Sequence, residues 1–572
     1  METIKVVQVV EYSQFYPDED SIDIPGVLKT FDRVSLIKMA TLLSVHYGNL
    51  YLPNDRDTLF SAVSSKYKDE LNWRFSEYYK RIGLKSGVQV VLTTFRTSLE
   101  LFRNIFAIKS DPYQSAIADE DQEVMLFKVI LSLNERIMRY DKSPWSSLEK
   151  MVFINRYLNN DCNDFDFQSV MASQIHYFKT LIDSVETTLA LKKATDNLLV
   201  QYGISSWQEY FATILYLAFE TEKYRKNKEL GLPIVKSDAL LRNDTTGLIS
   251  AKLLDYLSIA ADEYIPYNED NGQTCEGNNT DYRCFRSKPL IRLPDGASYL
   301  VTNIQLVCER LYNSLVFDLV KHLEGFDFNN EFVEKTLFRK TMFRCLDKDA
   351  YSYPSSCEVN HQETNGEPDF YVRKGIRLVV MECKAVKVNG TIRDKADVEK
   401  LLGDLKQKLA CKTQEINSNK ECKKPKLKGV GQLAKHIDSI NKNTFRWDKA
   451  IPGDAVCYPV LVLEDPRILQ PGLLKMLNSW FDEIIKEQGF AFDKTECRPV
   501  MAVSIHTLFL YDDLIRSKGL PSLIDEFLQG HAKQEQDDSL SPLADFDGFL
   551  RSKQFCKSDY IGRELATWLR NM

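Results

Sequence analysis

Glu382 and Lys384 stand two positions apart at the end of an apolar run that begins at Ile376. Because side chains alternate between the two faces of a strand, both charged groups point to one face and Cys383 points to the other. The other residues of the run are mostly apolar on both faces, which is typical of a central strand covered on each side. An unpaired buried charge is costly, and a bound divalent metal ion is a sufficient reason to place a carboxylate there.

Another carboxylate, Asp369, precedes this run by the length of a hairpin. It follows Pro368 at the start of a predicted strand, and residues 373–375 form the predicted turn. Pro-Asp followed across a hairpin by Glu-Cys-Lys resembles the signature of the PD-(D/E)XK, or restriction-endonuclease-like, nuclease superfamily. In the alternative interpretation, Glu382 and Lys384 form an ion pair at a sheet edge and Asp369 is an ordinary turn residue.

The resemblance implies a hydrolytic metal site. In such a site Asp369, Glu382 and the backbone carbonyl of Cys383 hold Mg²⁺, for which Mn²⁺ can substitute, and Lys384 lies beside the attacking water. The metal neutralises the charge that develops on the phosphate and lowers the pKa of its bound water. Mg²⁺ prefers oxygen ligands and keeps several waters, so one or two carboxylates with a carbonyl are enough.

Two helices are expected to complete the site. Family members often add a glutamate from the helix before the hairpin, and Glu334 is the candidate here, with Glu331 as its substitute and a surface charge as the alternative for both. Many members of the RecB-like branch carry a Gln followed four residues later by a Tyr. In this chain Gln432 is followed by His436, which lies on the same helix face. We expect Gln432 to position Lys384 or a phosphate, and His436 to be a solvated or hydrogen-bonded histidine.

The most basic segment of the chain lies directly before the helix of Gln432. Its lysines are Lys406, Lys408, Lys412, Lys420, Lys423, Lys424, Lys426 and Lys428. Lysines next to such a site can bind the phosphates of nucleic acid, and we assign this role to the last four, Lys423, Lys424, Lys426 and Lys428. A solvated surface without a ligand is the open alternative.

The elements around these residues predict an α/β C-terminal domain over residues 326–515, with a mixed central sheet flanked by helices. The predicted order is a helix over 330–346, the hairpin, a helix carrying Leu401, Leu405 and Leu409, a helix over 430–440, and strands over 458–463 and 500–510. This succession approximates the α-β-β-β-α-β core of restriction-endonuclease-like nucleases. Residues 516–572 are expected to form a helical tail with an acidic linker.

Residues 1–222 are predicted to form a mainly helical domain for recognition or assembly, which begins with a strand over 4–10. Residues 223–325 are predicted to form a connector. It contains a helix over 248–263, a polar linker over 268–281, a hairpin over 288–301 and a long helix over 302–323.

Composition limits the other functional classes. The chain has 572 residues and a net charge of −7, which predicts several domains. It shows neither an apolar run that could span a membrane nor a signal peptide, so a cytoplasmic protein without a membrane partner is expected. The twelve cysteines lack a Cys-x-x-Cys pair, which favours free thiols. Nucleotide-binding motifs are missing too, so ATP or GTP dependence would require a partner.

The resulting hypothesis is an Mg²⁺-dependent endonuclease, with DNA favoured as the substrate. The resemblance also implies an effector of prokaryotic restriction or antiviral defence, with a possible protein partner that supplies a motor or sensor and a possible homo-oligomer. The alternatives are a catalytically silent subunit for nucleic-acid binding or assembly, and a nuclease directed at RNA.

Overall fold

The computed structural model describes fifteen ranges of the chain. They are residues 6–45, 65–83, 88–109, 120–138, 147–159, 166–227, 231–237, 247–266, 282–354, 366–388, 392, 397–412, 425–492, 496–534 and 545–552. The predicted linker at 268–281 falls outside these ranges. None of the helices within them has the length and apolar character that crossing a membrane requires.

The chain divides into two compact units. The N-terminal unit comprises Lys5–Tyr140 and Leu158–Glu324, and the C-terminal unit comprises Met1–Ile4, Asp141–Tyr157 and Gly325–Met572. The two units are described separately below.

Helices account for most of the described residues before Gly325. In chain order they are α1 (Tyr12–Phe15), α2 (Ile24–Leu28), α3 (Arg33–Val45), α4 (Ser65–Ile82), α5 (Phe95–Phe106), α6 (Glu120–Met138), α7 (Leu148–Asn159), α8 (Phe167–Val185), α9 (Leu189–Tyr202), α10 (Trp207–Lys226), α11 (Ala251–Tyr256), α12 (Arg283–Ser287), α13 (Ile304–Glu309) and α14 (Leu315–Val320). This agrees with the mainly helical character predicted for residues 1–222. Of these helices, α7 lies mostly in the C-terminal unit.

Strands also occur in the N-terminal unit. The predicted first strand is present as β1 (Val6–Val9), and it pairs in parallel with β2 (Val88–Val91). Four further strands, β3 (Ile234–Lys236), β4 (Ser258–Ala260), β5 (Leu290–Arg292) and β6 (Ser298–Val301), form a sheet in the order β3-β6-β5-β4. The predicted hairpin over 288–301 is therefore confirmed as the antiparallel pair β5-β6.

Two helix predictions in the connector are wrong in length. The long helix expected over 302–323 is divided into α13 and α14, because the chain between them turns to bury Arg310, which pairs with Asp318 at 3.0 Å. The helix expected over 248–263 ends at Tyr256, because the residues that follow join the sheet as β4.

The C-terminal unit is a mixed α/β structure. Its strands are β7 (Tyr351–Tyr353), β8 (Phe370–Lys374), β9 (Arg377–Lys384), β10 (Cys411–Lys412), β11 (Lys426–Leu427), β12 (Val456–Leu463), β13 (Glu496–Cys497) and β14 (Met501–Ser504). In its described part, six strands form one sheet in the order β13-β12-β9-β8-β7, with β14 also paired to β12. β9 runs parallel to β12 and antiparallel to β8, so β9 lies in the interior of the sheet, as predicted.

Helices flank this sheet. They are a π-helix (Phe328–Phe338), α15 (Arg339–Cys345), α16 (Val398–Leu409), α17 (Val430–Asn441), a 3-10 turn (Pro466–Ile468), α18 (Leu473–Gln488), α19 (Ile505–Leu510), α20 (Asp512–Lys518), α21 (Leu520–Gln534) and α22 (Phe546–Ser552). All residues of β9 from Leu378 to Lys384 are buried, which confirms a strand covered on both faces.

The strand predicted over 500–510 is wrong in its second half. β14 ends at Ser504, whose hydroxyl oxygen accepts a hydrogen bond from the Thr507 amide at 3.0 Å and caps α19. A serine that satisfies a free amide of the first turn favours the start of a helix, so the apolar residues after Ser504 are helical.

Candidate active site

The β8-β9 hairpin places the two predicted carboxylates side by side. Phe370 pairs with Met381, so Asp369, the residue before Phe370, lies across from Glu382. Gly375 in the turn has a φ of +59°, a conformation that glycine adopts without steric cost. The Cys383 amide donates a hydrogen bond to Asp369 Oδ2 at 2.8 Å, which fixes the carboxylate beside the end of β9.

The ammonium of Lys384 lies at the centre of the candidate site. Its Nζ is 2.8 Å from the Cys383 carbonyl oxygen, 3.0 Å from Glu382 Oε2 and 3.3 Å from Asp369 Oδ2. Glu334 Oε1 approaches the same nitrogen at 3.9 Å. The Glu382 side chain is fully buried and that of Lys384 is 11% exposed. The structure therefore brings these five predicted residues together on an interior strand rather than at a sheet edge.

The helix before the hairpin distinguishes between the two candidate glutamates. Glu331 pairs with Lys335 at 2.6 Å, and its side chain is 42% exposed. Glu334 instead faces Lys384, and its side chain is 19% exposed. Both lie on the π-helical segment, where the Thr336 hydroxyl donates to the Glu331 carbonyl five residues earlier. The wider turn of a π-helix, which is frequent at functional sites, contributes to the direction in which Glu334 points.

The clustered charges shift the pKa values of the site in opposite directions. Burial and the neighbouring Glu382 raise the pKa of Asp369 to about 6. Burial, together with Asp369 and Glu382, raises the pKa of Glu334 to about 8 despite the opposing charge of Lys384. Burial also acts to raise the pKa of Glu382, but Lys384 and His436 outweigh it and the pKa is lowered.

The same cluster keeps Lys384 protonated. Burial by itself would lower the pKa of its ammonium, but Asp369, Glu382 and Glu334 outweigh that effect and hold the pKa well above its usual value. At neutral pH the site therefore contains a positive charge at Lys384 Nζ and an ionised carboxylate at Glu382.

His436 from α17 forms a direct contact with the site. Its Nε2 lies 2.9 Å from Glu382 Oε1, and because that carboxylate is ionised, the ring nitrogen is assigned as the donor. The histidine is 4% exposed, and the rings of Phe445 and Trp447 meet it edge-on at centroid distances of 6.4 and 6.1 Å. Glu382 is thus held by Lys384 through one oxygen and by His436 through the other.

The side chain of Gln432 does not contact Lys384, as had been expected, but caps the start of its own helix. Its side-chain oxygen accepts a hydrogen bond from the Gly429 amide at 3.1 Å, at the start of α17. In the sequence, the i, i+4 spacing of Gln432 and His436 indicated that the face of α17 carrying these two residues is directed towards the site. The hydrogen bond to the carboxylate is made by His436, for which the sequence predicted a solvated or hydrogen-bonded histidine.

Part of the predicted basic segment lies next to the site. Lys423 and Lys424 fall outside the described residues, whereas Lys426 is exposed on β11 and Lys428 is partly buried. Burial and the positive charges of Lys426 and Lys384 lower the pKa of Lys428. Gly429 follows with a φ of +43°, and a Cβ there would lie 2.3 Å from the Leu409 carbonyl oxygen. Close packing on the end of α16 therefore determines where Lys428 stands.

Glu367 supports the position of Asp369, and sequence reasoning missed it. Its Oε2 accepts a hydrogen bond from the Tyr353 hydroxyl at 2.8 Å, and its Oε1 lies 3.5 Å from Arg339 Nη2. Glu367 stands two residues before Asp369, so these contacts anchor the segment that enters the hairpin. The only signal in the sequence was its place directly before Pro368.

The donor set at this site suits a hard cation. Within the described ranges, no group of three or more His, Cys, Asp or Glu side chains is arranged to hold a metal ion. The oxygens around Lys384 Nζ come from two carboxylates, Asp369 and Glu382, and from the Cys383 carbonyl. The ammonium shows that these three oxygens can surround a positive charge. Two carboxylates and a carbonyl fit Mg²⁺, because that ion keeps several waters.

Comparison with known proteins finds no matching family, no similar curated protein and no similar solved structure. The function is therefore argued from the chemistry of the site.

Proposed function

We propose that this chain is a metal-dependent nuclease that hydrolyses phosphodiester bonds of nucleic acid, with DNA as the favoured polymer, and that its C-terminal unit is a restriction-endonuclease-like domain. The observation that supports this most is the set of oxygens from Asp369, Glu382 and Cys383 around the Lys384 ammonium. Buried carboxylates next to a buried cation at the end of an interior strand are costly to maintain without a chemical role.

In the proposed reaction, Asp369, Glu382 and the Cys383 carbonyl would hold Mg²⁺ or Mn²⁺, which would supply charge neutralisation and an acidified water. Lys384 retains its proton in this environment. It therefore acts through its positive charge, orienting the water and stabilising the negative charge on the phosphate. His436 holds Glu382 Oε1, which leaves Oε2 directed towards Lys384.

Cleavage assays test the proposal directly. Purified full-length chain is incubated with duplex DNA, single-stranded DNA and RNA, each with Mg²⁺, with Mn²⁺ and with EDTA. We expect metal-dependent cleavage that is fastest on DNA. Faster cleavage of RNA would change the substrate class, and the absence of cleavage on all three polymers would contradict the proposal.

A second candidate function is a catalytically silent subunit that binds nucleic acid or assembles with a partner. It is favoured by one observation: Lys384 already neutralises the charge between Asp369 and Glu382. Electrophoretic shift assays with the same polymers, run beside the cleavage assays, distinguish the two candidates. A silent subunit shifts the nucleic acid but yields no cleavage product when metal is added.

The proposal includes the biological setting that the resemblance implies. In that setting the chain is a cytoplasmic effector of prokaryotic restriction or antiviral defence. It acts with a protein partner that supplies a motor or sensor, and it can assemble as a homo-oligomer. Because the sequence contains no nucleotide-binding motif, ATP dependence in a reconstituted reaction would identify such a partner. A phage challenge of cells that express wild type or Glu382→Gln tests the defence role.

Metal affinity is expected to rise with pH. The raised pKa values of Asp369, about 6, and Glu334, about 8, mean that protons must leave before a cation binds. Ionisation of Asp369 alone predicts a gain of about tenfold in Mn²⁺ affinity between pH 5 and pH 7, with a smaller rise above pH 7 from Glu334. Titration calorimetry at each pH measures the Mn²⁺ affinity. Asp369→Asn is the control, and it is expected to remove the rise in affinity between pH 5 and pH 7. Affinity that falls as pH rises would contradict the assignment.

His436 is expected to act as a positioning residue. His436→Ala removes the donor to Glu382 Oε1, and we expect cleavage to fall about 10- to 100-fold with a matching rise in the Mn²⁺ concentration needed for half-maximal rate. His436→Gln keeps a donor and is expected to recover part of both. His322→Ala, in the N-terminal unit, is the control. Equal losses in His436→Ala and His436→Gln would indicate a role in packing only.

Lys426 and Lys428 are expected to bind phosphates. Replacing both with alanine removes two positive charges, so the slope of log affinity against log salt concentration is expected to fall by about two. Binding is expected to weaken equally for different DNA sequences. The doubly substituted Lys400→Ala, Lys486→Ala chain is the control for total charge. An unchanged slope would make these lysines part of a solvated surface.

A further inference from the structure

The face of β9 opposite the candidate active site borders a cavity of about 260 Å³. Its walls are formed mainly by apolar side chains from β8, β9, α15, α20 and the start of α21: Met342, Val372, Val379, Met381, Ile515 and Leu520. Val379 and Met381 alternate along β9 with the residues that face the site, so the cavity and the site share one strand.

Charged residues at the edge of the cavity are predominantly basic. Lys374, Arg377 and Lys518 contribute three positive charges and Asp347 contributes one negative charge, which leaves a surplus of two positive charges. Asp347 pairs with Lys374. The Arg377 side chain is 45% exposed, and its Nη1 donates to the Ser522 hydroxyl at 2.7 Å.

The guanidinium of Arg377 keeps donors for a ligand. Its carboxylate neighbour, Asp525, is 4.0 Å from Nη2, which is beyond hydrogen-bond distance. A guanidinium can bind a carboxylate through two parallel hydrogen bonds. Because Asp525 is too distant to form them, Arg377 can form them with an incoming anion.

We propose that this cavity binds a short aliphatic carboxylate, with its chain against Val379 and Met381 and its carboxylate at Arg377. Apolar walls favour the burial of an alkyl chain, and a few polar groups at the edge then fix the orientation of the ligand. A nucleotide is disfavoured because no aromatic ring for base stacking occurs among the described lining residues. The binding site is independent of the proposed nuclease activity.

Titration calorimetry of the full chain with octanoate tests the proposal, with octanol and octylamine as ligands that lack the anion. We expect one saturable site per chain for octanoate, and weaker binding of octanol and of octylamine. Arg377→Leu is expected to weaken octanoate binding about tenfold and to leave octanol binding within about twofold of wild type. Lys486→Leu, an exposed cation on α18, is the matched control.

A second variant locates the ligand. Ala350 lines the cavity and is only partly buried, so Ala350→Trp is expected to fill the space without unfolding the unit, which circular dichroism verifies. Loss of octanoate binding in this variant supports the proposal. Absence of saturable octanoate binding to wild type, or undiminished binding to folded Ala350→Trp, would overturn it.

Discussion

The Glu382→Gln variant is expected to lose metal-dependent cleavage by about a thousandfold while retaining its fold. Glu382 is fully buried and accepts from Lys384 at 3.0 Å and from His436 at 2.9 Å. A glutamine has nearly the same shape but no charge, and its amide group places a donor where one of the two oxygens had accepted a hydrogen bond. The variant therefore loses a cation ligand without leaving a cavity.

The measurement is the initial rate of DNA cleavage at saturating Mg²⁺, beside thermal unfolding of both proteins. Glu331→Gln is the matched control, because Glu331 belongs to the helix that contributes Glu334 but its own partner is Lys335. We expect this control to cleave at the wild-type rate. If Glu382→Gln cleaved as fast as wild type, the catalytic site would have to lie elsewhere.

The Lys384→Met variant is expected to be both inactive and less stable at neutral pH. Removing the ammonium leaves Asp369, Glu382 and Glu334 close together without a buried cation among them. Breaking a buried ion pair by deleting one partner costs about 3–5 kcal/mol. Lys442→Met, which removes a half-exposed partner of Asp438, is the control and is expected to change stability by about 1 kcal/mol or less.

The instability of Lys384→Met is expected to depend on pH in a definite direction. Without the ammonium, the three carboxylates raise one another's pKa in the folded state, so the folded chain holds protons that the unfolded chain has released. Stability then falls as pH rises, and the deficit relative to wild type is larger at pH 8 than at pH 5. Mn²⁺ is expected to reduce the deficit, because it replaces the missing positive charge.

Urea unfolding followed by circular dichroism, at pH 5 and pH 8 with and without Mn²⁺, measures these effects as shifts of the midpoint. A deficit that is the same at both pH values would show that Lys384 contributes through packing rather than charge. A deficit unaffected by Mn²⁺ would contradict the assignment of the surrounding oxygens as cation ligands.

The hairpin was predictable from sequence because its determinants are local. Alternation along a strand places Glu382 and Lys384 on one face whatever surrounds them, and Gly375 permits the turn that returns the chain to Asp369. Apolar residues on both faces also predicted that β9 would be an interior strand. Each of these features depends on residues that are close together in the chain.

Other predictions failed where long-range contacts outweighed local patterns. The residues between 302 and 323 are mostly apolar and predicted one helix, but burial of Arg310 against Asp318 divides it. β2 lies within a region of helical periodicity and exists because β1, far away in the sequence, provides a partner for its backbone groups. Sequence periodicity does not show which strand will pair with which.

The sequence by itself determined which residues share the hairpin and which of them face the same side of β9. Only the tertiary structure decided what completes the site. It selected Glu334 over Glu331, and it brought together His436 and Glu382, which are 54 positions apart in the chain. The physical reason is that the direction of a helical side chain depends on how its helix packs. The packing of α17 and the π-helix against the sheet is a property of the whole C-terminal unit.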